Sequence, residues 1–276
     1  MELKVRATED QVGAYATSGF GTSAVPRVLL ALLIFTGLDV HASRLTCSSL
    51  HSGAQIRNAS MADIPALMAV ENKAWGVLAA DPSTLADRMS RFKEGQFVRS
   101  ELSGDVSGFL NTVVIDKSFV FETISSEDAL VGRWEAITRA PAEVALQNAD
   151  GERVLFLINL TTLPMGHEGT SRSAIAASLI DSAKNLAKRM GIKQAFGLTR
   201  INGFRKYVAM SNDRRSERAT CERYLADVLN QKVRDPALSF HLKQGAKIAF
   251  PVPKSMLDDD ESLGWGVLIY YDVKQL

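Results

Sequence analysis

One stretch constrains the fold more than any other. Residues 154–160, VLFLINL, form an apolar run broken only by Asn159, and a run of that length predicts a strand buried on both faces. Pro164 and Gly166 end it. Thr170, Ser171 and Ser173 then crowd the start of AIAASLIDSAKNLAKRM. The apolar positions 175, 179, 183, 186 and 190 of that segment lie on one helical face, and Gly191 closes the helix. Residues 192–199 read as a second strand. Strand, short polar turn, helix and strand make a β-α-β crossover, the connection that parallel neighbours in a sheet require.

The flanks extend this pattern. Residues 54–58 read as a short strand. Ser60-Met61-Ala62-Asp63 is a capping-box-like helix start with Asp in place of Glu. Behind it, DIPALMAVENKAW places Ile64, Leu67, Met68, Val70 and Glu71 at helical spacing, with Pro65 in the first turn. Residues 97–102 alternate, Ser103-Gly104-Asp105 turns, and 106–115 returns as the second arm of an antiparallel hairpin. Residues 117–150 read as a loop with one or two short helices. After the crossover come a charged helix near 217–232, a shorter helix at 235–244 ended by Gly245, and strands at 246–251 and 265–272. The run Asp258-Asp259-Asp260-Glu261 reads as a solvated loop. The expected class is α/β (α+β), a mixed twisted sheet with flanking helices around a central crossover.

Composition narrows the function classes. The net charge is +1, from 32 Lys and Arg against 31 Asp and Glu. No excess positive charge exists to track phosphates, so a strongly basic nucleic-acid binder is excluded. A 46% hydrophobic fraction with 23% charged residues excludes wholesale disorder. The two cysteines, Cys47 and Cys221, exclude a disulfide scaffold and a Cys-rich zinc site. Histidines at 41, 51, 167 and 241 are too scattered for a metal-ligand motif, so no metal is expected. Cys221, beside Glu222 and Arg223, reads as an incidental half-buried thiol.

The N-terminus reads as an address. Residues 28–35, VLLALLIF, follow Arg27 and extend weakly to Val40. That is short of the roughly 20 apolar residues of a bilayer span, and it matches a signal-peptide h-region. Val40-His41-Ala42 suits cleavage after Ala42. Residues 43–57 carry Arg44, Arg57 and four serines but no acid, a transit-peptide composition. The expectation is a presequence over 1–55, with a signal to about 42 and a transit-like segment at 43–55, and a mature domain over 56–276. Such a presequence leads into the secretory pathway and resembles the two-part addresses of plastids surrounded by extra membranes. Any membrane contact runs through this segment alone. A cleaved secretory signal with a linker, or a single membrane anchor, is the alternative reading.

The turn between strand and helix, residues 167–173, offers hydroxyls and Arg172 at a helix N-terminus, a general anion site. A hydroxyl-capped helix explains the same residues. The order of elements over 56–276 resembles the GNAT acyltransferases. In that family the amides of this turn hold the pyrophosphate of coenzyme A, in a pattern of Arg or Gln, two variable residues, Gly, one variable residue, then Gly or Ala. Ser171, Ala174 and Ala176 occupy the three defined positions; the last fits and the first two depart. The resemblance implies coenzyme A along Leu160, Thr161 and Thr162 at the strand end and over Ser171, Arg172, Ser173, Ala174 and Ala176.

A second match is narrower. DPALSFHLKQGA at 235–246, with LTR upstream and GWGVLIYYDV downstream, resembles the GNAT-like loading domains of polyketide synthases over residues 153–273. By motif position, Thr199 and His241 then line the acyl site, where a hydroxyl and an imidazolium would donate to an enolate or a departing thiolate. A helix C-terminus near His241 favours the imidazolium. Two departures stand out. The Arg that would meet a substrate carboxylate is replaced by Met256, with Lys254 nearby, and residues 211–219 look inserted. Arg200 and Arg205 are read either as holding a 3′-phosphate or a carrier protein, or as solvated. Three functions follow as expectations. The first is direct acyl transfer from acetyl-CoA or malonyl-CoA to an amine or a carrier-protein thiol. The second is malonyl-type decarboxylation that loads an acyl carrier protein. The third is an inactive acyl-CoA or carrier-protein binding module.

Overall fold

Ser60 and Asp63 start the first helix reciprocally, as their spacing predicts. The Ser60 amide donates to the Asp63 carboxylate at 2.7 Å and its hydroxyl at 2.9 Å. Arg57 pairs with the same carboxylate at 2.6 Å, tying the first strand to the helix start. The computed structural model describes residues 53–76, 79–124, 137–138, 152–164, 170–211, 217–256 and 258–273. The presequence assigned to 1–55 lies outside these residues except for its last three.

In chain order the elements are β1 (Gln55–Asn58), α1 (Ile64–Trp75), α2 (Pro82–Arg91), β2 (Gln96–Ser100), β3 (Val106–Asp116), α3 (Lys117–Ile124) and β4 (Arg153–Thr162). They continue as α4 (Arg172–Arg189), β5 (Gln194–Arg200), α5 (Phe204–Met210), α6 (Glu217–Leu229), α7 (Pro236–Lys243), β6 (Lys247–Val252) and β7 (Gly266–Asp272). The expected strands and helices are in place to within a few residues. Two helices, α2 and α5, have no counterpart in the sequence reading. α2 does carry a start signal: Asp81 accepts the Thr84 amide at 2.8 Å, with Pro82 in the first turn.

Among the described residues seven strands form one sheet in the order β1-β2-β3-β4-β5-β7-β6. Only β4 and β5 run parallel, joined by the α4 crossover, and every other pair is antiparallel. One face packs against α4 to α7: Ile175, Leu179, Leu186, Tyr224 and Leu238 meet Leu155, Leu157, Ala195, Ile269 and Tyr271. The other face packs against α1 and α2 through Leu67, Val70, Leu85 and Phe109, and against α3 through Val120, Ile124, Phe156, Phe196 and Leu268. With both faces covered, the central strands carry continuous apolar runs rather than alternation.

The sheet is interrupted at one place. β4 and β5 pair only at Leu155–Ala195, Phe156–Phe196 and Leu157–Gly197. Beyond Leu157 and Gly197 both strands continue without pairing to each other. The register of β4 against β3 slips at the same level: Asn111 faces Asn159 and Thr112 faces Leu157, so Ile158 is an extra residue. A bulge bends and twists its strand. Here it turns the end of β4 away from β5.

Candidate active site

The parting strands leave a slot with unpaired backbone on its two edges, Ile158 to Thr162 on one side and Leu198 to Arg200 on the other. Backbone N–H and C=O groups left without a ladder partner are ready to bind a ligand. The slot lies at the carboxyl ends of parallel strands, and the crossover helix starts beside it.

On the α1 side a buried polar network anchors the end of β4. Glu71 is 2% exposed. It accepts from the Asn159 amide with both oxygens at 3.0 Å, from the Thr161 hydroxyl at 2.9 Å and from the Ala80 amide at 3.2 Å. Trp75 donates its indole N–H to the Thr161 oxygen at 2.8 Å. The Trp75 ring also lies 5.9 Å from the Arg200 guanidinium. One indole therefore reaches from the β4 edge to the β5 edge. Glu71, Asn159 and Trp75 were not singled out from sequence. A charged residue at helical spacing gives no sign that it points inward, although Glu71 does follow the apolar stripe of α1 directly.

Thr199 is buried near the end of β5, with its hydroxyl 3.3 Å from the Arg200 carbonyl oxygen. Alternation puts it on the face of Ala195 and Gly197, towards α4. Tyr271 pairs with Ala195 across β5 and β7 and so shares that face. His241, on α7, binds there: its Nδ1 is 2.7 Å from the Tyr271 hydroxyl. Thr199 and His241 thus serve one side of the sheet. Ala195, the residue opposite Tyr271, lies four positions before Thr199, ~13 Å between the two backbones along the strand.

The charge expected on His241 is corrected by burial. Although it lies in the last turn of α7, loss of water pushes its imidazole down to about 4. Desolvation outweighs the helix-end effect, so His241 is neutral at pH 7. Burial raises the Tyr271 phenol, which keeps its proton. We assign the Tyr271 hydroxyl as donor to Nδ1, which places the imidazole proton on Nε2.

At the crossover helix, Ser171 is the N-cap of α4. Its side chain accepts the Ala174 amide at 3.3 Å and lies 3.2 Å from the Ser173 hydroxyl. One of the amides expected to face a pyrophosphate is thus already capped. Arg172 donates to the Thr162 carbonyl at 3.3 Å, joining the helix start to the β4 end. Ser171, Arg172, Ser173 and Ala174 are exposed, while Ala176 and Thr162 are buried and Leu160 is half-buried. Thr161 is turned to the opposite face by its bond to Glu71. Residues 165–169 of this turn lie outside the described residues.

Two further expectations change. The acidic run is solvated at Asp258, Asp260 and Glu261, as expected, but not at Asp259. Asp259 is buried and pairs with Arg200 at 2.5 and 2.8 Å. Glu261 meets Arg200 at 3.3 Å and Asn202 at 3.1 Å. Asp260 meets Arg205 at 3.2 Å. Arg200 is therefore engaged by carboxylates of its own chain, whereas Arg205 is exposed and meets Asp260 only at the surface. Cys221 is fully buried, not half-buried. Burial lifts its thiol to about 12, which leaves no thiolate at neutral pH. Among the described residues no cluster of three His, Cys, Asp or Glu side chains is placed to hold a metal ion.

No protein-family model matches the chain. A curated relative, "Probable hydrolase YhcX" of Bacillus subtilis (strain 168), is 25% identical over 219 residues, covering 79% of this chain. The chain spans 38% of that relative's length. Among solved structures, the GphF GNAT-like decarboxylase in complex with isobutyryl-CoA superposes with a TM-score of 0.59 at 21% identity, covering 80% of this chain and all of the other. The loading GNATL domain of CurA from Lyngbya majuscula gives 0.57 at 20% identity, covering 80% of this chain and 98% of the other. With the crossover, the parted β4 and β5 and these superpositions together, the chain has the GNAT fold.

Proposed function

We propose that the chain is an acyl-CoA-dependent acyltransferase that passes an acyl group directly from the CoA thioester to an amine or a carrier-protein thiol. The observation that carries this reading is the slot between β4 and β5, with the start of α4 on one side and Thr199 on the other. The pantetheine arm lies in the slot against the unpaired edges of Ile158 to Thr162. The phosphates lie over Ser171 to Ala176, where displacement of the Ser171 cap frees the Ala174 amide. The acceptor attacks the thioester carbonyl carbon, and the C–S bond breaks. The proton lost by the acceptor ends on the CoA thiolate. Thr199 Oγ1 and His241 Nε2 donate hydrogen bonds to the carbonyl oxygen as charge develops there. Neutral His241 acts as a hydrogen-bond donor and not as a cation. No covalent enzyme intermediate is needed, and Cys221 takes no part. We also propose that residues 1–55 are removed on entry to the secretory pathway, which N-terminal sequencing of the mature protein tests.

Decarboxylation of a malonyl-type thioester is the second reading, favoured by the DPALSFH motif and by the names of GphF and CurA. It ranks second because Met256 stands where a carboxylate-binding Arg is expected, and Arg200 is held by Asp259 and Glu261. The test is mass spectrometry of acetyl-CoA and malonyl-CoA with the mature protein, with and without amine and carrier-protein acceptors. Acetylated acceptor with intact malonyl-CoA supports transfer. Acetyl-CoA appearing from malonyl-CoA supports decarboxylation. Bound but unchanged thioester contradicts both and supports a binding module. His241→Ala and Thr199→Val each lower kcat about 100-fold if they donate to the oxyanion.

A further inference from the structure

Thr199 and His241 come from separate parts of the chain, and one buried carboxylate joins those parts. Asp235 has no exposed surface. Its Oδ1 accepts the Leu238 amide at 2.8 Å and so caps α7, the helix carrying His241. Its Oδ2 accepts the Tyr224 hydroxyl at 2.7 Å and the Gly203 amide at 3.1 Å. Gly203 sits in the turn that follows Thr199 and Arg200. All three donors are neutral.

Capping alone does not require this burial. Asp81 caps α2 in the same way from an exposed position. A carboxylate sealed among neutral donors is costly unless every lone pair is served, and here each bond fixes a different element. The fit leaves no slack. A Cβ on Gly203 would stand 2.5 Å from the Tyr224 hydroxyl oxygen, although the backbone there, at φ −90°, suits any residue. Glycine is needed at 203 for closeness, not for conformation.

We propose that Asp235 is a positioning residue for the Thr199–His241 pair. It holds the turn after β5 and the start of α7 at one fixed separation, so that both side chains keep a common setting beside the slot. What the pair does rests on the acyl-transfer reading. The tether itself does not.

The test uses the full chain. Asp235→Asn keeps an oxygen for the Leu238 amide but turns a donor towards the Gly203 amide. It is expected to lower kcat about 10- to 100-fold, with KM for acetyl-CoA within about twofold of wild type. It is also expected to shift the nitrogen resonances of His241. Gly203→Ala, which strikes the Tyr224 hydroxyl, should do the same. Adding Tyr224→Phe removes that collision together with one donor to Asp235, leaves the Gly203 and Leu238 bonds in place, and should raise turnover at least about threefold above Gly203→Ala alone. If Asp235→Asn does not fold, Gly203→Ala and its rescue decide. Wild-type kcat and unchanged His241 resonances in Asp235→Asn overturn the proposal, as does a double variant no better than Gly203→Ala. A wild-type protein that turns over no thioester refutes acyl transfer, and the nitrogen resonances then decide the tether alone.

Discussion

His241 shows how burial overrides local rules. Its place in the last turn of a helix favours the cation, yet desolvation brings its pKa to about 4. Tyr271 is bonded to its ring and the Phe240 ring lies 5.1 Å from it; the Lys184 ammonium, 5.5 Å from the Tyr271 ring, pairs with Asp181. The sign of the pH effect follows. Between the unfolded value near 6.5 and the folded value near 4, the unfolded chain binds the extra proton. Stability is therefore full above about pH 6.5 and falls as the pH drops towards 4, by at most about 3 kcal/mol from this group. Urea unfolding from pH 7 to 4 should show that loss, and His241→Gln should reduce it. Glu71 obeys the complementary rule, that a buried carboxylate must keep its donors. Glu71→Ala would strand Asn159, Thr161 and the Ala80 amide, and should cost about 3 kcal/mol in equilibrium unfolding; Glu71→Gln should cost less. Neither state was legible in sequence, because burial depends on what packs from elsewhere.

The elements divide by the signal they carry. β4, α4 and β5 were legible because each holds its period over many residues and ends at a stop signal. Leu179, fully buried at the centre of α4, should cost about 2–5 kcal/mol as Leu179→Ala, read as a fall in the urea midpoint. α2 and α5 are too short to hold a period, although the Asp81-Pro82 start of α2 carries a signal. The slot was illegible for a deeper reason. Nothing in β4 records where its pairing with β5 ends, and the extra residue at Ile158 is defined only against β3. The acidic run illustrates the same limit, since its partners Arg200 and Arg205 lie far away in sequence. A resemblance could carry Thr199 and His241 forward, but only the register shows that they share a face.

At the scale of the whole molecule, the crossover makes one parallel pair inside an otherwise antiparallel sheet, and that pair comes apart at its carboxyl end. The helices cover both faces, so the parting is where backbone is left open between two packed layers. Acyl-CoA is the ligand this arrangement is proposed to take, along the β4 edge and over the start of α4. Hydrogen exchange of the full chain with and without saturating acetyl-CoA tests that placement most directly. Acyl-CoA bound there slows exchange at Ile158–Thr162 and Ser171–Ala176, with β1 and β6 at the sheet edges unchanged. Protection confined to those edge strands, or no protection at any saturating concentration, would contradict it.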